Sequence, residues 1–462
     1  MNNASEHRSL EKHVNILFVA FEFPPLASGG VQRSLKFVKY LPDFGINPVV
    51  ITIEEKDYPL VLSSYYIDKD LQQDVPSGTK IERIHCDAPS PASNKLAKWA
   101  RVYFSVSENF KTYWYKSLKE KLPAIIEEYK PLAVYVTIPP FAMAPLWLKL
   151  LKGSSLPLII DFRDAWSQWA LAPNGSYLHY YFKLKQEEAI LRKAAAVITT
   201  TRQTSDELKR LHHNIPADKF SVIPNGYDVE IAVPGKLSVA KKDKWVIGYV
   251  GSFYYSPEAR AAIFKPWWKK KFHRMLQYVP RKEDWLYRSP YFFFKALKCL
   301  LDQHPALAEK IEVHFAGNTP GWLTDQISSF GLHSICKHSG YLSHKAVIEF
   351  QQQCDALLIT SSKVIGGEDY SIAGKTFEYF TMGKPILAFV CEGAQKDILT
   401  ETGMSVICDP DNTVESAQLM ENLFTGKTVL QPDHAAIKKY HRKQLAQQLS
   451  SIIKKLAKDE TA

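Results

Sequence analysis

The residues best suited to chemistry lie between Glu368 and Phe380. There Ser371-Ile372-Ala373-Gly374, a run of mostly small residues, leads into a helical pattern carrying Lys375, Thr376 and Glu378. A helix start offers backbone N–H groups that have no partner within the helix, and its dipole favours an anion in front of it. Lys375 adds a cation, and Lys375 and Glu378, three residues apart, share a helix face. Such a set suits the capture of a phosphate-like anion; the plain alternative is a solvated ion pair. Glu368 and Asp369 stand just ahead of the loop.

Three further groups have similar character. Ser28-Gly29-Gly30 opens a helical pattern after Phe23-Pro24-Pro25, and two glycines let a backbone come close to a ligand. Gly251-Ser252 follows the apolar run Trp245–Val250, and Ala316-Gly317-Asn318 and His338-Ser339-Gly340-Tyr341-Leu342 read as two further strand ends. The fourth group, Arg163-Asp164, comes straight after Leu156–Asp161. Open α/β sheets bind ligands at the carboxyl ends of their strands, and a carboxylate there can take a hydroxyl proton. An Arg–Asp pair that only braces its loop fits the residues equally well.

The elements that must hold these groups read as two α/β series in tandem. Val14–Ala20, Pro48–Ile53, Leu132–Thr137, Leu156–Asp161, Ala195–Thr200 and Lys219–Ile223 are continuous apolar runs, the mark of strands buried on both faces of a parallel sheet. Gly29–Leu41 has helical spacing. A polar, turn-rich stretch from Pro224-Asn225-Gly226 to Lys244 reads as a linker. A second series follows with Trp245–Val250, Ile311–Ala316, Ala356–Thr360, Pro385–Phe389 and Ser405–Cys408. Residues 1–232 are expected to form the first domain, with a helix over about 434–458 packing back on it, and residues 243–430 the second.

In their order and spacing these motifs resemble glycosyltransferase family four, of the bacterial surface-polysaccharide type, from Asn15 to about Leu449. The resemblance implies the GT-B fold: two Rossmann-like α/β domains facing across a cleft, with a basic aromatic insertion in the second. It implies transfer of a sugar from a nucleoside-diphosphate sugar to an acceptor hydroxyl, with retention and without a metal or other cofactor. Donor contacts then fall on Gly29, Gly30, Gly251, Ser252, Tyr341, Leu342, Ser371, Ile372, Ala373, Gly374, Thr376 and Glu378. Lys375, Asp164 and Glu368 take catalytic roles, and Arg163 and Asp164 face a glycan or lipid-linked acceptor. The family's familiar form has two glutamates with seven residues between them, and Tyr370 stands where the first would be. Glu368 or Asp369 then serves the donor sugar from a shifted loop, or that contact is missing. Arg260 is offered as the basic residue that usually follows the Gly251 turn. Two other readings remain: a binding protein of this fold that has lost catalysis, and an epimerase of this fold, which would want an acid–base cluster at the sugar ring.

Charge narrows the partners. The net charge is +10, yet between Tyr255 and Leu300 eleven Lys or Arg meet three acids, so the excess sits on one local surface. That argues against a nucleic-acid partner, which would want a basic stripe elsewhere too. Within residues 255–298, Trp267, Trp268, Phe272 and Tyr278 alternate with cations, a mixture suited to an anionic membrane surface or to a small aromatic subdomain with solvated charges. Scattered cysteines and the lack of an apolar leader point to a cytoplasmic protein, and the basic aromatic insertion to a peripheral place on the inner membrane face. Two Asp-x-Asp triplets, at Asp68 and Asp409, read as solvated loops, and no metal site is expected.

Overall fold

The structure, a computed structural model, describes residues 13–62, 65–87, 113–168, 173–229, 234–239 and 243–459. Parts of the expected linker, 230–233 and 240–242, lie outside these residues. The chain divides into two compact units: one up to Thr200 with Thr204–Asn225 and everything from Arg442, the other Thr201–Gln203 with Gly226–His441.

The first unit is built on a seven-stranded parallel sheet. Its strands are β1 (Val14–Val19), β2 (Ile46–Ile53), β3 (Lys80–Ile84), β4 (Val134–Ile138), β5 (Leu158–Phe162), β6 (Ala196–Thr199) and β7 (Phe220–Val222), in the order β3-β2-β1-β4-β5-β6-β7. β1 shows why its sequence is apolar from Ile16 to Val19. Ile16 and Phe18 pack on one face with helix α1 (Gly29–Tyr40), while Leu17 and Val19 pack on the other. β3 was not anticipated: Lys80-Ile-Glu-Arg-Ile is a half-polar edge strand that pairs only with β2. The expected C-terminal helix is broken at Lys439–His441. Helix α2 (His434–Lys438) stays with the second unit, and helix α3 (Arg442–Asp459) joins the first, where Leu445, Ala446, Leu449 and Ile453 pack with Phe37, Val38 and Leu41.

The second unit has a six-stranded parallel sheet made from β8 (Trp245–Val250), β10 (Ile311–Ala316), β11 (Cys336–His338), β12 (Ala356–Thr360), β14 (Ile386–Phe389) and β15 (Ser405–Cys408). The order is β11-β10-β8-β12-β14-β15, and the short strands β9 (Glu283–Asp284) and β13 (Lys363–Val364) pair separately and antiparallel. The insertion divides in two. From Glu283 onward it belongs to the unit's interior: Glu283, Asp284 and Tyr287 are buried, and Phe293 and Phe294 enter the core from helix α4 (Tyr291–Gln303). Only the part before it stands in solvent. Both sheets, and the crossover order within each, are those of Rossmann-like domains in the GT-B fold.

Candidate active site

In the second unit, β8 ends in a turn at Gly251 (φ 95°), whose N–H donates to the Ala316 carbonyl at 2.7 Å. The turn after β10, at Gly317 (φ 136°), lies so close that a Cβ there would fall 2.6 Å from the Gly251 oxygen. Only glycine tolerates both the dihedral and that approach. Lys375 reaches back to this turn from helix α5 (Gly374–Thr381). Its ammonium sits 3.6 Å from the centre of the Tyr249 ring, and a Cβ on Gly251 would lie 3.5 Å from it. No carboxylate pairs with it among the described residues; burial pushes its pKa down to about 7, opposed by Glu378 one turn along. A cation on a ring face with no counter-anion is poised to accept one.

The loop ahead of α5 is tightly braced. Asp369 is buried, accepting from the N–H and hydroxyl of Ser371 at 3.1 and 2.8 Å and from the Ser362 N–H at 3.2 Å. Burial holds its carboxyl above the usual range, with Arg288 opposing. Tyr370 turns inward and donates to Glu283 at 2.7 Å. Glu368 stays exposed and accepts from Gln203 at 3.1 Å, so its carboxylate is already engaged by the unit's own side chain. Ala373, at the N-cap, has no capping side chain; Gln395 supplies one, accepting from the Ala373 N–H at 2.8 Å and the Thr376 hydroxyl at 3.1 Å. Glu378 is exposed, as is Tyr341; Leu342 is half-buried beside Tyr341 in the loop after β11.

Arg288 is the residue that sequence reasoning passed over. It donates to the Ser371 hydroxyl at 3.2 Å and reaches Ser362 and Glu283 at 3.4 Å each. Arg260 does not take this place: Asp284 holds its guanidinium with two bonds, at 2.5 and 2.7 Å. The available signal was position, since Arg288 directly precedes the Ser289-Pro290 start of α4, whereas Arg260 sits near the solvent-exposed part.

In the first unit the loops after β1, β4 and β5 meet. A Cβ on Gly30 would fall 1.8 Å from Arg163 Nη1, so the bare glycine makes room for that guanidinium at the start of α1; Gly29 is open. Arg163 also donates to the Pro139 carbonyl, while its Nε–H is buried without an acceptor among the described residues. Asp164, half-buried, follows directly. Beneath them lies a network that was not anticipated. Asp161 is fully buried and accepts two bonds from Arg33, at 2.9 and 2.8 Å, one from Tyr135 at 2.6 Å and one from Thr137 at 3.1 Å. Arg33 donates onward to Pro224 at 2.8 Å. The pair ties α1 to β5 and thereby sets the Gly-Gly turn against Arg163.

The acidic groups that could suggest a metal have local duties. Asp68 and Asp409 each cap a backbone N–H two residues on, and Asp411 binds Tyr287 and Lys363. One group escaped the sequence reading: Glu54, Asp57 and His85 come together. Asp57 accepts from the Cys86 N–H at 2.8 Å and lies 2.9 Å from His85 Nδ1, and Glu54 pairs with Lys56, which describes a brace between β2 and β3.

Residues 28–231 match the family described as Glycosyltransferase Family 4, and residues 287–425 match Glycosyl transferases group 1. The chain is a family-four-like glycosyltransferase. Arg288 and the whole loop-and-helix segment Glu368–Phe380 lie inside the matched segments of this glycosyltransferase, and residues 232–286 lie outside both. Solved structures of similar fold include Anabaena HepE in complex with UDP (15% identity, TM-score 0.54, 97% of this chain and 100% of that one). Others are sucrose-phosphate synthase from Thermosynechococcus elongatus (13%, 0.57, 96% and 100%) and the lipopolysaccharide outer core galactosyltransferase WaaB in its apo form (13%, 0.55, 95% and 99%). At these identities the likeness is one of fold. A comparison with curated proteins gives no match.

Proposed function

We propose that this glycosyltransferase moves a hexosyl group from a nucleoside-diphosphate sugar to an acceptor hydroxyl, with retention, and that its own cations rather than a metal stabilise the leaving diphosphate. The observation that carries the reading is Lys375, an unpaired ammonium between the Gly251 turn and the start of α5. The bond between the anomeric carbon and the diphosphate oxygen breaks, and a bond to the acceptor oxygen forms. Negative charge then grows on the diphosphate, where Lys375, Arg288 and the N–H groups of the α5 first turn supply fixed positive potential. The acceptor proton passes to the leaving phosphate or to Asp164. Glu378, exposed one turn into α5, accepts from the ribose hydroxyls, and the backbone at Tyr341 and Leu342 meets the base. With Tyr370 turned into the protein, any sugar contact from this loop falls to Glu368, which must first leave Gln203. Arg163 and Asp164 face the acceptor. That HepE was solved with UDP and that WaaB builds lipopolysaccharide support a nucleotide donor and a surface-glycan acceptor. No described helix is long and apolar enough to cross a membrane.

Calorimetric titration of UDP, GDP, ADP and their sugar conjugates tests this. One nucleotide should bind the wild type. Lys375→Ala should weaken it about 10- to 100-fold, the scale of a lost hydrogen bond to a charged group, and Glu378→Ala about tenfold. A folded protein that binds none of them would leave a scaffold without a donor site.

A further inference from the structure

We propose that residues 264–276 are a docking element for an anionic lipid surface. The structure separates this segment from the rest of the insertion. Trp267, Trp268, Phe272 and Leu276 are 60%, 63%, 83% and 69% exposed, four large apolar side chains within ten residues that the second unit's core does not use. They are interleaved with Lys265, Lys269, Lys270, Lys271 and Arg274, and no acid occurs between Glu258 and Glu283. None of these five cations forms an ion pair among the described residues.

The segment has a defined backbone. Successive tight turns are closed by bonds from Lys269 and Lys270 to Pro266 and Trp267, and from Arg274 and Met275 to Lys271 and Phe272. The two indoles meet edge to face at 5.9 Å. Its base is fastened firmly: Arg260 is clamped by Asp284, the Ile365 N–H donates to the Lys282 carbonyl at 2.9 Å, and β9 pairs with β13. An ordered tip that keeps aromatic rings in water, ringed by uncompensated cations, is matched by a surface offering both apolar depth and negative charge. Indole and phenyl rings settle at the headgroup level, and lysines there gain from anionic lipid. A second copy of the same segment fits poorly, because it would bring five cations against five. The segment also lies wholly within the stretch matched by neither glycosyltransferase family. Its base is continuous with the donor-side loop, since Glu283 holds Tyr370 and Arg288 holds Ser371. Docking would therefore anchor the unit through the same strand that positions that loop.

The test uses the full chain and vesicle flotation. Vesicles of phosphatidylglycerol and phosphatidylcholine in equal parts should carry the protein at low salt, and phosphatidylcholine alone should not. High salt should release it. The variant Trp267→Ser/Trp268→Ser/Phe272→Ser and, separately, Lys265→Glu/Lys269→Glu/Lys271→Glu should each bind at least ~tenfold more weakly, given a contribution near fivefold per cation. Tryptophan fluorescence should shift to the blue on vesicle binding in the wild type. Absence of binding, or triple-serine protein that binds as tightly as wild type, would overturn the proposal. So would light scattering that shows a dimer dissolved by the serine variant with no vesicle binding. Nucleotide titration on the same samples keeps the two readings apart: vesicle binding without nucleotide binding sinks the donor site and leaves this element standing.

Discussion

Lys375 is held where its own charge is costly. Burial against Tyr249 and the Gly251 turn lowers its pKa to about 7, so near neutral pH it is only partly protonated. A diphosphate beside it favours the ammonium and draws its pKa back up. Below pH 7 the proton is already present and binding moves little charge; above it, each bound nucleotide must bring a proton with it. Donor affinity is therefore expected to fall as pH rises from 7 to 9, and about one proton should be taken up per nucleotide at pH 8.5. Calorimetry at that pH, in buffers of differing ionisation enthalpy, measures the uptake. Lys375→Arg, which stays charged, should abolish it, and equal uptake in both proteins would remove Lys375 from the phosphate site.

Loop 368–373 is shaped at the level of elements, by the turn before helix α6 (Ala394–Thr402) as much as by its own residues. The Asp369 N–H donates to Glu392 at 2.9 Å and the Ala394 N–H donates to Asp369 at 2.7 Å, with Gly393 between them at φ 137°. A Cβ on Gly393 would fall 2.1 Å from the Asp369 oxygen. Gly393→Ala must therefore displace the loop that carries Ser371 into the start of α5. The expected result is a nucleotide affinity about five- to 150-fold lower, the equivalent of about 1–3 kcal/mol of backbone strain, with the circular-dichroism spectrum unchanged. Wild-type affinity in that variant would show that the loop's position is immaterial to the donor.

Across the whole molecule, each unit has its own sheet and its own buried clusters, so each should answer to its own perturbation. Asp161→Ala leaves Arg33 buried without its partner and should cost the first unit about 3–5 kcal/mol. Nucleotide at a hundred times its dissociation constant should stabilise the second unit by about 2.7 kcal/mol. Scanning calorimetry should show the first change lowering one transition and the second raising another. A single transition moved by both would mean that the units unfold as one. The first unit is also closed by the far end of the chain, since α3 supplies Leu445, Leu449 and Ile453 to its core.

The two α/β series were legible in the sequence, because strands buried on both faces are largely apolar, and so was the helix that starts at Gly374 behind a run of small residues. The edge strand β3 was not, since Lys80-Ile-Glu-Arg-Ile is half polar and, unlike the edge strands β7 and β15, had no apolar run to mark it. The break at Lys439–His441 was hidden because both halves of that stretch are good helix formers. Tertiary structure alone decided the roles that depend on distance. It gave Arg260 to Asp284 and Arg288 to Ser371, turned Tyr370 inward to Glu283, and set Asp161 and Arg33 together across 128 positions of chain. It also divided the insertion, sending Phe293 and Phe294 into the core and leaving Trp267, Trp268 and Phe272 in water. Local sequence specifies periodicity and the groups available; which cation meets which oxygen follows only when the packed sheet fixes where each loop ends.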